Sequence, residues 1–202
     1  MLKSSKILVI DTATDYVFLS LLIDGIEVGY TYQNDVRNHA VTVMPKLDEL
    51  LKKAQIALKE ITEVIVGIGP GSYTGVRIGV TIAKMIGYLN NVPVKTVSTL
   101  ALLASSSSAA KIMARIDARR GNAFTACYSQ ENGIMKATIS DILVNVEQFD
   151  QTHEIPDEIV IIGKPDMEKI LRSKLTVFVK NIHELVPNYL QVTEAERNKG
   201  KI

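Results

Sequence analysis

The sequence predicts an α/β protein built as two related halves around a cleft. Three observations predict it. Residues 64–89 read as a buried strand, a tight glycine loop and a long helix. Residues 7–32 read as three strands, the last two joined by Asp24-Gly25, a strong hairpin signal. Each half also opens alike, with a strand ending in aspartate, then a turn, then a hairpin: Ile10-Asp11-Thr12 in the first, Ile116-Asp117-Ala118 in the second.

Residues 7–10 are the first apolar run, followed by strands at 16–23 and 26–32. Residues 38–54 form the first helix. Ala40, Val43, Met44, Leu47, Leu50, Leu51 and Ala54 fall on one face, with Lys46, Asp48, Glu49, Lys52 and Lys53 opposite. Asn38 is placed to cap it, and Pro45 is expected to kink it or delay its start. The strand at 64–66 then breaks into a loop, 67–75, with four glycines and one proline in nine residues. Glycine suits so abrupt a reversal because it has no Cβ to clash. Ser72 and Thr74 are placed to cap the next helix. The loop reads either as a turn that fits only small residues or as a phosphate cradle. It has neither the Gly-Lys-Ser/Thr ending nor the G-x-G-x-x-G spacing.

A strand at 92–97 and a short helix at 98–104, capped by Ser98, complete the first half, residues 1–104. The serine run 105–108 marks the boundary. The second half, 105–202, has strands at 112–116 and 123–128 around a turn at 117–122, a weaker strand at 139–144, a clear one at 159–162, a helix at 166–173 and a strand at 175–179. A polar segment, 194–201, is expected to fray.

The central helix is the most informative element. Gly75, Gly79, Ala83 and Gly87 recur every four residues and so share one side. Ile78, Ile82, Met85, Ile86 and Leu89 adjoin them, leaving Arg77, Thr81, Lys84 and Tyr88 as a polar strip. A mid-helix glycine costs about 1 kcal/mol relative to alanine. Such a row therefore predicts a second helix pressed close, in this chain, in another copy or in a different protein.

Composition narrows the function. The chain has 202 residues, 47% of them hydrophobic, and a net charge of +1. That allows one large domain or two small ones with ample core, but no basic footprint for autonomous nucleic-acid binding. No apolar run is long enough to span a membrane, and the N-terminus does not read as a secretory signal. The lone Cys127 allows no internal disulfide, fits a reducing cytoplasm, and reads as a core or half-core residue. No two of His39, His153 and His183 are spaced i, i+4, so none makes a metal-ligand pair; each reads as a surface or capping histidine.

Ile10-Asp11-Thr12-Ala13-Thr14, Asn38-His39-Ala40, the run from Gly69-Pro70-Gly71-Ser72-Tyr73-Thr74-Gly75 to Val76-Arg77-Ile78-Gly79, and Asp117-Ala118-Arg119-Arg120 together resemble the TsaB (YeaZ) family. Pro187-Asn188-Tyr189-Leu190 followed by Glu194-Ala195-Glu196 resembles that family's end. The resemblance implies an actin-like ATPase (ASKHA) duplicate of two ribonuclease-H-like halves, the second reduced. It implies a bacterial, cytoplasmic, non-catalytic partner of a TsaD-like subunit, which transfers threonylcarbamoyl to the adenosine next to the tRNA anticodon. A TsaE-like ATPase would join them, tRNA would be met only through the complex, and the chain would need no cofactor, metal or membrane.

The family pairs through its first two helices, with itself when alone or with the TsaD-like subunit. The expected interface is therefore Val43, Leu47, Leu50, Val76, Gly79, Val80, Ala83 and Gly87. The likeness to actin-like ATPases makes Asp11, Thr12, Gly69, Gly71 and Asp117 a candidate remnant of a nucleotide site. Asp11 and Asp117 read equally as turn aspartates bonding their own backbone. Arg119 and Arg120 are close enough to pair with Asp117, or to meet a phosphate or a partner carboxylate. The alternative reading is a stand-alone ATPase or a glycoprotease-like metallohydrolase of the same superfold, with a small-molecule kinase third.

Overall fold

The computed structural model describes residues 4–35 and 38–190. Near-continuous apolar runs form β1 (Lys6–Asp11) and β2 (Tyr16–Ile23), and an alternating one forms β3 (Ile26–Asn34), in an antiparallel meander. Helix α1 (His39–Lys53) crosses to β4 (Glu63–Gly67), and α2 (Tyr73–Asn90) crosses to β5 (Val94–Val97); β4 and β5 run parallel to β1 and its neighbour. Helix α3 (Thr99–Ser105) leads into the second sheet: β6 (Lys111–Arg119), β7 (Asn122–Glu131), β8 (Ile134–Asn145), then α4 (Val146–Thr152) and β9 (Glu158–Val160), which lies parallel to β6. After α5 (Met167–Arg172) the chain returns to the first sheet as β10 (Val177–Phe178), antiparallel to β5. The two sheet orders are β10-β5-β4-β1-β2-β3 and β8-β7-β6-β9.

The period-2 alternation of β1 and β2 supplies both faces of the first sheet. Leu8, Ile10, Leu19 and Leu21 pack on α1 and α2. Ile7, Val9, Phe18 and Leu22 face α3 and, through it, Ile112, Phe124 and Tyr128 of the second sheet. All seven residues of α3 are buried, as a helix apolar all round requires.

Several boundaries differ from expectation for local reasons. Helix α1 runs through Pro45 from His39, without the delayed start that proline predicts. Its first turn is tied to the β1–β2 turn by His39 Nε2 on the Thr14 carbonyl at 3.0 Å, and within the turn Thr42 Oγ1 donates to the Asn38 carbonyl. Asn38 occupies the cap position, but its side chain makes no cap bond. Ser72 and Ser98 cap as expected, accepting from Gly75 N and from Leu100 N and Ala101 N; Thr74 lies inside the helix and is exposed. Helix α4, capped by Asn145, is absent from the sequence reading. The serine run ends α3 in a packed corner, where Ser105 Oγ accepts from Asp166 N and Ser107 Oγ donates to Glu158. Residues 194–201 lie outside the described residues.

Candidate functional site

The carboxyl ends of the parallel strands β1, β4 and β5 meet the glycine loop, the usual crevice position in an open α/β sheet. Asp11, Thr12, Gly69 and Gly71 do come together there. Asp11 is 5% exposed, and its Oδ1 accepts from Ala13 N at 2.8 Å. Burial pushes its carboxyl up to about 6, against the opposing hydrogen bonds from Ala13 N, the Thr99 hydroxyl and Thr12 N.

The loop's amides are largely engaged within the protein. Ile68 N donates to Val97 O, Gly69 N to Thr99 Oγ1, Ser72 N to Ala13 O and Gly75 N to Ser72 Oγ. The C-terminal segment lies over them: Asn188 N donates to Ile68 O at 2.7 Å, and a Cβ on Gly69 would stand 2.8 Å from the Asn188 carbonyl oxygen. Asp117 is exposed on β6, with its carboxylate accepting from Arg119 N in its own turn.

The small-residue row receives a different partner from the one expected. A Cβ on Gly75 would lie 2.1 Å from the Thr12 carbonyl oxygen, one on Gly79 2.7 Å from Thr12 Oγ1, and one on Gly87 2.4 Å from Val94 Cγ2 and 2.7 Å from Ile182 Cδ1. Thr12 is clasped into the helix: its hydroxyl donates to Gly75 O at 2.6 Å and accepts from Gly79 N at 3.0 Å. Ala83 is fully buried. Close approach is thus made by the chain's own β1–β2 turn, by β5 and by residue 182, not by a second helix. The expected interface is corrected accordingly: Val43, Leu47, Leu50, Val76, Gly79, Val80, Ala83 and Gly87 are all buried within this chain and form the inner faces of α1 and α2.

What the two helices leave outside is the opposite face. Met85 is 56% exposed, Tyr88 66% and Leu89 73% on α2, beside Arg77 and Thr81; Val41 is 69% and Met44 48% exposed on α1. Residues 179–190 form a strap along one flank of α2. Ile182 fills the space at Gly87, Lys84 Nζ donates to the carbonyls of His183 and Leu185, and Leu185 is buried. At the other end the Tyr189 hydroxyl accepts from Arg77 Nε at 2.7 Å. The sequence singles out Tyr189 without its role and leaves Thr99 and the strap unseen, since each acts across a long sequence separation.

The three histidines stand apart: His39 buried on the Thr14 carbonyl, His153 stacked on Phe149, and His183 against Tyr88. Among the described residues no three His, Cys, Asp or Glu side chains are grouped to hold a metal. No described helix is long and apolar enough to cross a membrane.

Residues 33–155 match the sequence model of the family described as TsaD, tRNA N6-adenosine threonylcarbamoyltransferase. The chain is 30% identical to the tRNA threonylcarbamoyladenosine biosynthesis protein TsaB of Bacillus subtilis, over 94% of this chain and 96% of that one. It is 32% identical to the Escherichia coli protein of the same name, over 81% of this chain and 75% of that one. The solved structure of YeaZ from Pseudomonas aeruginosa superposes with a TM-score of 0.77 at 25% identity, covering 92% of this chain and all of the other. A second solved structure, described as an uncharacterized protein with similarity to peptidase YEAZ from that organism, gives 0.78 at 25% identity, over 93% of this chain and all of that one. The two-sheet α/β architecture is accordingly of the actin-like (ASKHA) type.

Proposed function

The chain belongs to the TsaB family of tRNA threonylcarbamoyladenosine biosynthesis proteins, and from that premise we propose that it is a non-catalytic subunit that docks a TsaD-like transferase through the outer face of α1 and α2. The observation that carries this is the exposed apolar side chains, Val41 and Met44 on α1 and Met85, Tyr88 and Leu89 on α2, on helices whose inner faces are already filled. Met85, Tyr88 and Leu89 adjoin one another at i, i+3 and i+4, and exposed apolar surface of this kind marks interaction sites. Residues 1–104 are the half that carries the docking helices; residues 105–202 are the smaller half, which supplies the strap. Alone, the chain pairs with itself through the same face; a TsaE-like ATPase and tRNA are met through the assembled complex in the cytoplasm. The crevice at Asp11, Thr12, Gly69 and Gly71 is a remnant nucleotide site turned to structural use, with Asp117 as its candidate member on the second sheet.

Size-exclusion chromatography with light scattering, on the chain alone and mixed with the TsaD-like protein of the same organism, tests this. A defined complex is expected, lost in Met85→Asp and Leu89→Asp while both variants melt as the unaltered chain does. Absence of any complex contradicts it. So does threonylcarbamoyl transfer, nucleotide hydrolysis or stoichiometric metal in the isolated chain, which would favour the stand-alone enzyme.

A further inference from the structure

Helix α2 carries two charged side chains, Arg77 and Lys84, and no acidic one. Lys84 is committed to the strap, where it binds two main-chain carbonyls. Arg77 is left as the exposed cation of α2; on α1, Lys52 and Lys53 are paired with Asp48 and Glu49. Its guanidinium carbon lies 4.0 Å from the Tyr73 ring centroid and 5.6 Å from that of Tyr189. The two rings are themselves 4.7 Å apart. Nε is held by the Tyr189 hydroxyl and one Nη2 hydrogen by the Tyr73 hydroxyl. No carboxylate among the described residues lies within ion-pair distance of it. A guanidinium has five N–H donors in a rigid fork, so three make no bond to another described residue, on a side chain that is exposed and stacked on an aromatic platform.

We infer that Arg77 is the charged anchor of the docking face and receives a carboxylate of the partner subunit, with Tyr73 and the strap residue Tyr189 holding the fork in the geometry that binds it. This rests on the docking reading above and adds the partner's chemistry: an acidic side chain presented among apolar ones. A guanidinium already immobilised on two phenols loses little side-chain freedom on pairing. A lysine at this position lacks both the fork and the stacking plane.

The test is calorimetric titration of the TsaD-like protein with the unaltered chain and with Arg77→Gln, Arg77→Lys, Tyr189→Phe and Met85→Asp, at several salt concentrations. Arg77→Gln is expected to weaken Kd about tenfold to a hundredfold, as for loss of a charged hydrogen bond, and to flatten the salt dependence. Arg77→Lys should recover the salt dependence but little of the affinity, and Tyr189→Phe should fall between Arg77→Gln and the unaltered chain. Unchanged Kd and salt slope in Arg77→Gln overturn the inference. Weaker binding with an unchanged slope overturns it too, because the loss is then one of packing. If Met85→Asp abolishes binding while Arg77→Gln does not weaken it, the docking reading stands and the anchor falls. If the unaltered chain does not bind, both fall.

Discussion

Asp11 ends β1 at the mouth of the crevice, yet its surroundings are those of a buried turn residue. Its folded-state carboxyl is raised from 3.8 to about 6. The protonated form is therefore favoured by the fold, and Asp11's contribution to stability is complete below its unfolded value and lost as pH rises through about 6. Asp11→Asn keeps an oxygen for Ala13 N and removes the buried charge. It should raise unfolding free energy at pH 8 by up to about 3 kcal/mol, with little change at pH 3.5, measured by urea denaturation at both. Thr12 makes a second residue-scale prediction. Its buried hydroxyl satisfies Gly75 O and Gly79 N, so Thr12→Val should cost about 1–3 kcal/mol in the same assay. The sequence showed that Asp11 and Thr12 end a strand beside a turn. It could not show that Thr12 is locked to a helix 63 residues away, because local pattern carries no information about such a partner.

At the scale of elements, the four-residue row of small side chains was legible as a demand for close approach and illegible as to what approaches. A helical wheel assigns residues to faces but not neighbours to a face. The strand–loop–helix connection itself lays α2 on β1 and β4, and the β1–β2 turn fills the groove. Gly75→Ala therefore tests the fold. Its methyl would meet the Thr12 carbonyl at 2.1 Å, and the cost of moving main chain should outweigh the ~1 kcal/mol gain in helix propensity. A clear drop in melting temperature is expected, against no drop or a slight rise for the exposed Thr81→Ala on the same helix. Pro45 illustrates the reverse case: a strong local signal for a delayed helix start is overridden by His39 and Thr42 contacts that fix the first turn.

At the scale of the molecule, the halves are joined by more than the buried helix α3. Ser98 Oγ, the α3 cap, also donates to Asp141 Oδ1 on β8 at 2.8 Å. The chain then closes on itself when β10 and the strap return to the first sheet and α2. Repeat openings at Asp11 and Asp117 made the two-part architecture readable; the return crossing was not, since β10 spans two residues with no pattern of its own. The whole arrangement turns the inner faces of α1 and α2 into core and leaves their outer faces as surface. Met44, Met85 and Tyr88 are side chains that oxidise readily and lie on that surface. Hydroxyl-radical footprinting of the chain, free and mixed with the TsaD-like protein, is the most direct measurement of what the face is for. Met44, Met85 and Tyr88 are expected to lose reactivity together in the mixture, while the exposed Tyr30 of β3 is unchanged. Full reactivity of those three in a complex protected elsewhere would contradict the docking reading.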